Sequence, residues 1–284
     1  MFPTSSRVGT PISGESRENH MSTAHVNGID IYYEVHGNGA PLVLIMGLRR
    51  NAEWWHLQVP ELSKHFRVVA FDNRGAGRSD KPDMEYSIRL FADDTAALMD
   101  FLGIGRAHIL GISMGGYIAQ ELAINYPAKV NRLILGCTSC GGTRAAIMSP
   151  ERMEKFTANK GLAPEQILRK DVDLYFSDRF ISEQPDWIEQ FVEISLRYYQ
   201  PPDAFFRQFN ACLKHDTTDR LKKINAPTLI MAGNDDHLVP SQNSSTLKEL
   251  IPHARLELFE GCRHCFFMEE SAKFNAAVRE FLLK

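Results

Sequence analysis

The sequence predicts an α/β protein with a mostly parallel, doubly wound sheet of about eight strands and a helical segment inserted after strand 6. Three observations favour this fold class. Continuous apolar runs such as 41–47 and 66–72 are typical of strands covered on both faces. Segments with helical periodicity separate these runs, as in a chain of β-α-β units. The alternation stops after Cys140 and resumes at residue 226.

The chain is expected to begin its fold with a β-hairpin. In residues 24–36, apolar side chains flank the dipeptide Asn27-Gly28, and Asn-Gly is a strong signal for a tight hairpin turn. The two buried strands at 41–47 and 66–72 follow. Antiparallel strands are therefore predicted to precede the parallel part of the sheet.

Alternating elements continue through the middle of the chain. An amphipathic helix is predicted over 87–103, and a buried strand over 107–112. The next helix runs from about residue 115 to 125 and ends before Pro127, because proline disfavours a helical residue in front of it. Another buried strand covers 130–137.

A long helical insertion then interrupts the sheet. Residues 141–214 are polar and aromatic with helical spacing, and the elements after them are a strand at 226–236, a helix near 241–251, a strand at 254–261 and a last amphipathic helix. We therefore divide the chain into a disordered extension (1–20), a core (21–140 and 215–284) and the insertion (141–214).

The composition excludes several classes of function. The chain has 284 residues, a hydrophobic content of 44% and a net charge of −3, without a basic stripe that could follow nucleic acid. No apolar run approaches the roughly 20 residues that a membrane helix needs. Residues 1–20 lack the apolar region of a signal peptide, and Met21 is an alternative start. Neither nucleic acid nor a membrane span is expected.

Five cysteines in a chain of this size predict reduced thiols and a cytoplasmic protein. Two CxxC pairs, Cys137 with Cys140 and Cys262 with Cys265, raise the question of zinc. The pairs lie too far apart in the chain for a ribbon-type site, so buried apolar thiols are the favoured interpretation. We expect no metal and no cofactor, and the sequence leaves a homodimer open.

Ser113 lies between Gly111 and Gly115, where the strand at 107–112 passes into a helix. The pattern Gly-x-Ser-x-Gly is weak by itself, but a strand before it and a helix after it are typical of a nucleophilic serine at a strained corner. The glycines remove side chains that would collide there. The amide of Met114, at the start of the helix, points to where a negative oxygen would lie. Ser113 is therefore the predicted nucleophile.

A serine hydroxyl needs a base, usually a histidine that a carboxylate orients. Active residues of such sheets follow the carboxyl ends of strands. His264 lies directly after the last predicted strand, and we choose it as the base. The other histidines considered, which we interpret as surface or packing residues, are His36, His65, His215 and His253.

The acid should also follow a strand. Asp236 lies beyond the strand that ends at Gly233, and we choose it with Asp235 as the reserve. His237 ranks below His264 as the base. It directly follows Asp236 in the chain, so its side chain should point away from the base that Asp236 orients.

From about residue 25 to its end the sequence resembles the α/β-hydrolase fold superfamily. The stretches FDNRGAGRSDKP, GISMGG, APTLIMAGNDDHLVP and GCRH are similar to the corresponding family segments. The superfamily places its nucleophile, acid and histidine in that chain order, which Ser113, Asp236 and His264 follow. The insertion at 141–214 is similar to the family's cap. Serine in place of aspartate at the corner argues against the dehalogenases and epoxide hydrolases of the superfamily. The segments FDNRGAGRSDKP and CLKHDTTDRLKKINAPTL are most similar to carboxylesterases and 3-oxoadipate enol-lactonases.

One segment departs from the family pattern. Many members have His-Gly after the third strand, where a backbone amide completes the oxyanion hole, whereas this chain has Met46-Gly47-Leu48. Because the donor is a backbone N–H, similarity still assigns Leu48 and Met114 as the oxyanion donors. Met46 puts the orientation of this loop in question.

The resemblance implies a carboxylic ester hydrolase that cleaves a small, largely apolar ester or lactone through an acyl-enzyme. Two alternatives stay open: a carbon–carbon bond hydrolase with the same triad, and a hydrolase-like ligand receptor with little turnover.

Three further residues are candidates for substrate contacts. Arg49 and Arg50, next to the oxyanion loop, are suited to a substrate carboxylate, and Trp55 is suited to the floor of the pocket. The alternatives are that the arginines are solvated or paired with loop carboxylates and that the tryptophan packs the loop.

Overall fold

Eight strands form a single sheet in the computed structural model, which describes residues 20–284 and the side chains of residues 22–284. The strands are β1 (His20–Val26), β2 (Ile29–His36), β3 (Ala40–Ile45), β4 (Phe66–Phe71), β5 (Ala107–Ile112), β6 (Val130–Gly136), β7 (Thr228–Gly233) and β8 (Arg255–Phe259).

The sheet has the order β1-β2-β4-β3-β5-β6-β7-β8. Strands β1, β2 and β4 pair antiparallel, and all other neighbours pair parallel. Asn27 and Gly28 join β1 to β2 with φ values of 49° and 76°, as a type I′ hairpin turn requires. The predicted sheet of about eight mostly parallel strands is therefore confirmed.

Eleven helices surround the described strands. They are α1 (Val59–Leu62), α2 (Ile88–Phe101), α3 (Met114–Asn125), α4 (Pro150–Thr157), α5 (Pro164–Tyr175), α6 (Asp178–Glu183), α7 (Pro185–Arg197), α8 (Pro202–Leu213), α9 (Gln242–Leu250), α10 (Phe266–Glu269) and α11 (Ser271–Leu282). Short 3₁₀ helices lie at Ala52–Trp55, Pro127–Lys129, Gly142–Arg144 and Leu221–Lys223.

The two faces of the sheet bury separate apolar cores. In β3, Leu42 and Leu44 belong to one core, and Val43 and Ile45 belong to the other, because successive side chains of a strand point to opposite faces. Helices α2, α3 and α9 contribute side chains to one core, and α11 and most helices between β6 and β7 contribute to the other. This double cover explains why the central strands are continuous apolar runs.

The segment between β6 and β7 contains α4 to α8, where the sequence predicted a helical insertion over 141–214. Its division from the core at those two residues stays a prediction. The predicted extension 1–20 lies outside the described residues, except that His20 already begins β1. Within residues 20–284, no helix is both long and apolar enough to cross a membrane.

Candidate active site

Ser113 lies at the corner between β5 and α3 in a strained backbone conformation, with φ 57° and ψ −121°. The chain crosses itself closely there. A Cβ atom on Gly111 would lie 2.2 Å from the carbonyl oxygen of Gly115, and one on Gly115 would lie 2.0 Å from that of Ile45. Both positions therefore require glycine, and the strand-to-helix corner holds the serine at the carboxyl edge of the sheet.

His264 lies in the turn after β8, and its Nδ1 atom is 2.8 Å from Oδ2 of Asp236, which follows β7. The other carboxylate oxygen of Asp236, Oδ1, accepts hydrogen bonds from the amides of Leu238 and Val239 at 2.8 and 2.9 Å. The Asp236 side chain has no exposed surface and that of His264 is 8% exposed. Burial and these bonds fix the orientation of the imidazole.

Asp235, the alternative choice for the acid, pairs with residues other than His264. Asp235 contacts Nε of Arg263 and Nε2 of His237, each at 3.2 Å, and is about half exposed. The structure thus brings Asp236 rather than Asp235 to His264, and it pairs His237 with Asp235.

The remaining ring nitrogen of His264, Nε2, is 3.9 Å from the sulfur of Cys137, at the end of β6. His264 and Ser113 line the same cavity. Cys137, Asp236 and His264 are also the group of three potential metal ligands that the described residues bring together, so this group coincides with the predicted base and acid.

The loop after β3 lies against the serine. A Cβ atom on Gly47 would be 3.0 Å from Cβ and 3.4 Å from Oγ of Ser113. Asn73 anchors the loop by donating a hydrogen bond to the carbonyl oxygen of Met46 at 2.8 Å. Neither the Leu48 amide nor the Met114 amide donates a hydrogen bond to another described residue. The two predicted oxyanion donors are therefore left for a ligand.

The cavity over Ser113 has a volume of about 250 Å³ and lies between the core loops and the insertion. This volume is near the lower end of small-molecule pockets. Most of the lining is apolar, and it includes Met46, Ile112, Met148, Met153, Phe156, Phe209, Leu238 and Phe267. The arrangement suits a small ligand with an apolar body.

The structure corrects one predicted substrate contact. Arg49 and Arg50 both line the cavity, but Trp55 does not: it is fully buried and packs on Phe267 at a ring distance of 5.8 Å. Trp54 lines the cavity in its place. The two tryptophans lie in a 3₁₀ helix with three residues per turn, so their side chains point about 120° apart and only one can face the cavity.

Sequence reasoning missed a polar cluster on the cavity wall. The hydroxyl of Tyr117 lies 3.0 Å from Oγ of Ser139, and the ring of His215 stacks on Tyr117 at 4.4 Å. Burial lowers the pKa of His215 to about 4 and raises the pKa of Tyr117. One sequence signal for this cluster was available, because Tyr117 follows Ser113 by one helical turn. No sequence signal indicated that His215 belongs to it.

The insertion holds the loop that carries His264. Arg263 pairs with Asp178 at 3.0 Å and donates to the carbonyl oxygens of Asp173 and Phe176 at 2.8 and 3.0 Å. The amide of Cys265 donates to the carbonyl oxygen of Tyr175 at 2.8 Å. The position of the histidine therefore depends on packing between the core and the insertion.

All five cysteines are free thiols. Burial raises the pKa of Cys262 to about 12, and it also raises the pKa of Cys137 and of Cys265. Thiols in such surroundings are poor nucleophiles.

Comparisons with known proteins identify relatives over most of the chain. A family model described as alpha/beta hydrolase fold matches residues 36–271. The chain is 30% identical over 263 residues to a protein named "Putative carbamate hydrolase RutD" from Azorhizobium caulinodans, and the alignment covers 92% of this chain and 98% of that protein.

Two solved structures are similar over nearly their full lengths. The enol-lactonase from Burkholderia xenovorans LB400 has a TM-score of 0.83 and 26% identity, with coverage of 93% of this chain and 100% of that one. The meta-cleavage product hydrolase from Pseudomonas fluorescens IP01 has a TM-score of 0.78 and 30% identity, with coverage of 92% and 97%. The names of these relatives describe different substrates.

Proposed function

The chain belongs to the α/β hydrolase fold family, and on that premise we propose that it is a serine hydrolase of small carboxylic esters or lactones. One observation carries the proposal: the hydrogen-bonded pair of Asp236 and His264 lies beside the cavity that Ser113 also lines. A buried carboxylate at 2.8 Å from Nδ1 favours the tautomer whose Nε2 accepts a proton.

In the proposed first half-reaction, Oγ of Ser113 attacks the carbonyl carbon of the substrate while Nε2 of His264 takes the hydroxyl proton. The carbonyl oxygen gains a negative charge, which the amides of Leu48 and Met114 stabilise. When this tetrahedral species collapses, the bond to the alkoxide breaks. His264 gives its proton to the departing oxygen, and the acyl group stays on Ser113 as an ester.

In the second half-reaction, water replaces the alcohol. His264 takes a proton from the water as it attacks the acyl-enzyme, and the same two amides bind the oxyanion. Collapse breaks the bond to Oγ, the proton returns to Ser113, and a carboxylic acid leaves. Asp236 keeps its charge throughout and stabilises the imidazolium that forms twice in the cycle.

The dimensions of the site support a small substrate. The cavity of about 250 Å³ is mostly apolar and lies below the insertion, which we propose to act as a cap that shields the bound substrate from bulk solvent. Serine at the corner supports acyl transfer, since a serine ester is an intermediate that water can cleave.

We place the protein in the cytoplasm, because all five of its cysteines are free thiols.

The test uses p-nitrophenyl esters with acyl chains from acetate to decanoate, with the wild type beside Ser113→Ala. We expect turnover that is highest for short chains and falls to the uncatalysed rate in the variant. A fluorophosphonate probe should label Ser113 and leave the variant unlabelled. Labelling without turnover of any ester or lactone would contradict the proposal and favour a carbon–carbon hydrolase, a carbamate hydrolase or a receptor.

A further inference from the structure

Two consecutive arginines lie under the insertion, directly after the proposed oxyanion residue Leu48. Arg49 has φ 71°, a left-handed conformation that L side chains rarely adopt, and both arginines line the cavity. Their side chains contact different insertion helices: Arg49 contacts α4 and α8, and Arg50 contacts α5 and α7. The loop thus delivers two positive charges into a mostly apolar space.

Arg50 is held in an aromatic cage. Its guanidinium carbon lies 3.9 Å from the ring centre of Trp54, 4.8 Å from that of Tyr175 and 5.3 Å from that of Phe191. The side chain of Ser195 accepts one hydrogen bond from Nη1 at 3.0 Å. The cage fixes the position of the charge but offers few acceptors for its N–H groups.

The hydrogen-bonding capacity of Arg50 is not used up. The residue is only 5% exposed, and its Nη2 atom is buried without a hydrogen-bond partner in the part of the chain that the structure describes. The same holds for Nη1 of Arg49, whose guanidinium lies over Phe205 at 4.2 Å. A buried N–H group of a cation is costly to leave without an acceptor, so both atoms call for a ligand.

Neighbouring carboxylates compensate these charges only in part. Between residues 20 and 284, no carboxylate forms a salt bridge with Arg49 or Arg50. Both arginines interact electrostatically with the carboxylate of Asp171. Asp171 is buried and lies 3.0 Å from Nζ of Lys170. Three cations therefore face one carboxylate, and a guanidinium keeps its proton even when it is buried.

We propose that Arg50, assisted by Arg49, binds a carboxylate that the substrate carries in addition to its scissile carbonyl. The natural substrate is then an anionic ester or lactone with a short apolar spacer between the two groups. This inference rests on the proposed function, because it places the reacting end of the substrate at Ser113. The planar guanidinium, with a free Nη2, suits a carboxylate oxygen, and the apolar surroundings strengthen the bond.

The spacing along the loop supports a short substrate. Only one residue lies between Leu48 and Arg50 in the chain, and consecutive Cα atoms are about 3.8 Å apart. A substrate that reaches both groups needs only a few carbon atoms between them. The arginine thereby selects substrates by charge, while the oxyanion donors act on the carbonyl.

The first test measures binding without turnover. In Ser113→Ala, calorimetry compares monomethyl adipate, which has one free carboxylate, with dimethyl adipate, which has none. We expect the monoanion to bind about 10- to 100-fold more tightly, and Arg50→Gln in the same background to abolish that preference. Arg50→Lys should keep part of it. Equal affinities, or a preference that survives in Arg50→Gln, would overturn the inference.

A matched control removes a nearby charge that is outside the cavity. Arg197 lies on α7, is about half exposed and pairs with Glu53 and Glu193. Arg197→Gln changes the net charge as Arg50→Gln does, and it should leave the preference for monomethyl adipate intact. A loss of preference in Arg197→Gln would mean that general electrostatic attraction, not Arg50, selects the anion.

A kinetic comparison separates the two proposals. Mono-p-nitrophenyl adipate and its methyl ester present the same leaving group with and without a carboxylate. We expect a higher kcat/KM for the anionic ester than for the neutral ester in the wild type, and a ratio of the two kcat/KM values near one in Arg50→Gln. Turnover without a preference for the anion overturns only this inference. Selective binding without any turnover overturns the proposed serine hydrolase instead.

Discussion

Asp236 meets His264 through one oxygen only: Oδ2 lies 2.8 Å from Nδ1, while Oδ1 accepts hydrogen bonds from the amides of Leu238 and Val239. Two donors therefore fix the carboxylate from the side opposite the imidazole. If an amide replaces it, the amide oxygen must stay with the two backbone N–H groups, and its NH₂ group must then face Nδ1.

Asp236→Asn should accordingly reverse the tautomer of His264. An NH₂ group facing Nδ1 requires a lone pair there, so the ring proton moves to Nε2, which can no longer accept the proton of Ser113. We expect kcat on the best p-nitrophenyl ester to fall by about 10⁴-fold, with little change in KM, as for a triad with the wrong tautomer.

The control is Asp235→Asn, one residue earlier. Asp235 contacts Arg263 and His237 and not His264. Its replacement should change kcat by less than about tenfold. If Asp235→Asn were the more damaging change, the choice of Asp236 as the acid would be wrong.

Gly115→Ala should destabilise the fold. The new Cβ atom would lie 2.0 Å from the carbonyl oxygen of Ile45. This oxygen belongs to the backbone and the position of Cβ is fixed by the backbone, so neither atom can move without distorting β3 or α3. We expect the free energy of unfolding in urea to fall by about 3 kcal/mol or more.

Gly105→Ala is the matched control, since a Cβ atom on Gly105 meets nothing within 4 Å and no positive φ is recorded there. Alanine at this position should leave stability unchanged or raise it by up to about 1 kcal/mol. Equal losses from the two variants would show that the close crossing at the serine corner does not restrict the side chain.

Local patterns were enough to predict the framework of the site. Apolar runs gave the central strands, and the Gly-x-Ser-x-Gly corner gave the position of Ser113, because both depend on the residues in the segment itself. Placement after a strand was also enough to single out Asp236 and His264 as neighbours, which their 2.8 Å contact agrees with. Their catalytic roles stay predictions.

Long-range packing explains what the sequence did not reveal. Which of Trp54 and Trp55 faces the cavity depends on the rotation of a short 3₁₀ helix about its axis. Two adjacent tryptophans in a sequence do not reveal that rotation. His215 reaches Tyr117 only because the insertion returns the chain to the sheet. Whether a carboxylate pairs with Arg50 depends on where the insertion places its acidic residues, and no spacing along the chain predicts that.

The thiols near the proposed base should react slowly. Cys265 lines the cavity, but burial raises its pKa and that of Cys137, so little thiolate is present at neutral pH. Iodoacetamide at pH 7.5 should slow the ester hydrolysis only gradually, whereas the urea-unfolded chain should be alkylated at all five cysteines. Intact-mass spectrometry counts the modifications. Rapid, complete inactivation of the wild type that is lost in Cys262→Ser/Cys265→Ser would contradict a passive role for that pair.

The stability of the protein should fall in mild acid partly because of His215. Burial lowers its pKa to about 4, while an unfolded chain has a histidine pKa of about 6.5. Above pH 6.5 the ring is neutral in both states. Between pH 6.5 and pH 4 only the unfolded state takes up the proton, so the free energy of unfolding decreases as the pH falls, by up to about 3 kcal/mol in total.

His215→Phe isolates this contribution. Phenylalanine keeps a ring on Tyr117, and it removes no hydrogen bond at Nε2, since that atom is buried without a partner among the described residues. Between pH 7 and pH 5, the free energy of unfolding in urea should decrease by about 2 kcal/mol less in the variant than in the wild type. The exposed His65, changed to Phe, should leave the wild-type pH dependence in place. Parallel curves for wild type and His215→Phe would mean that His215 is not held neutral by burial.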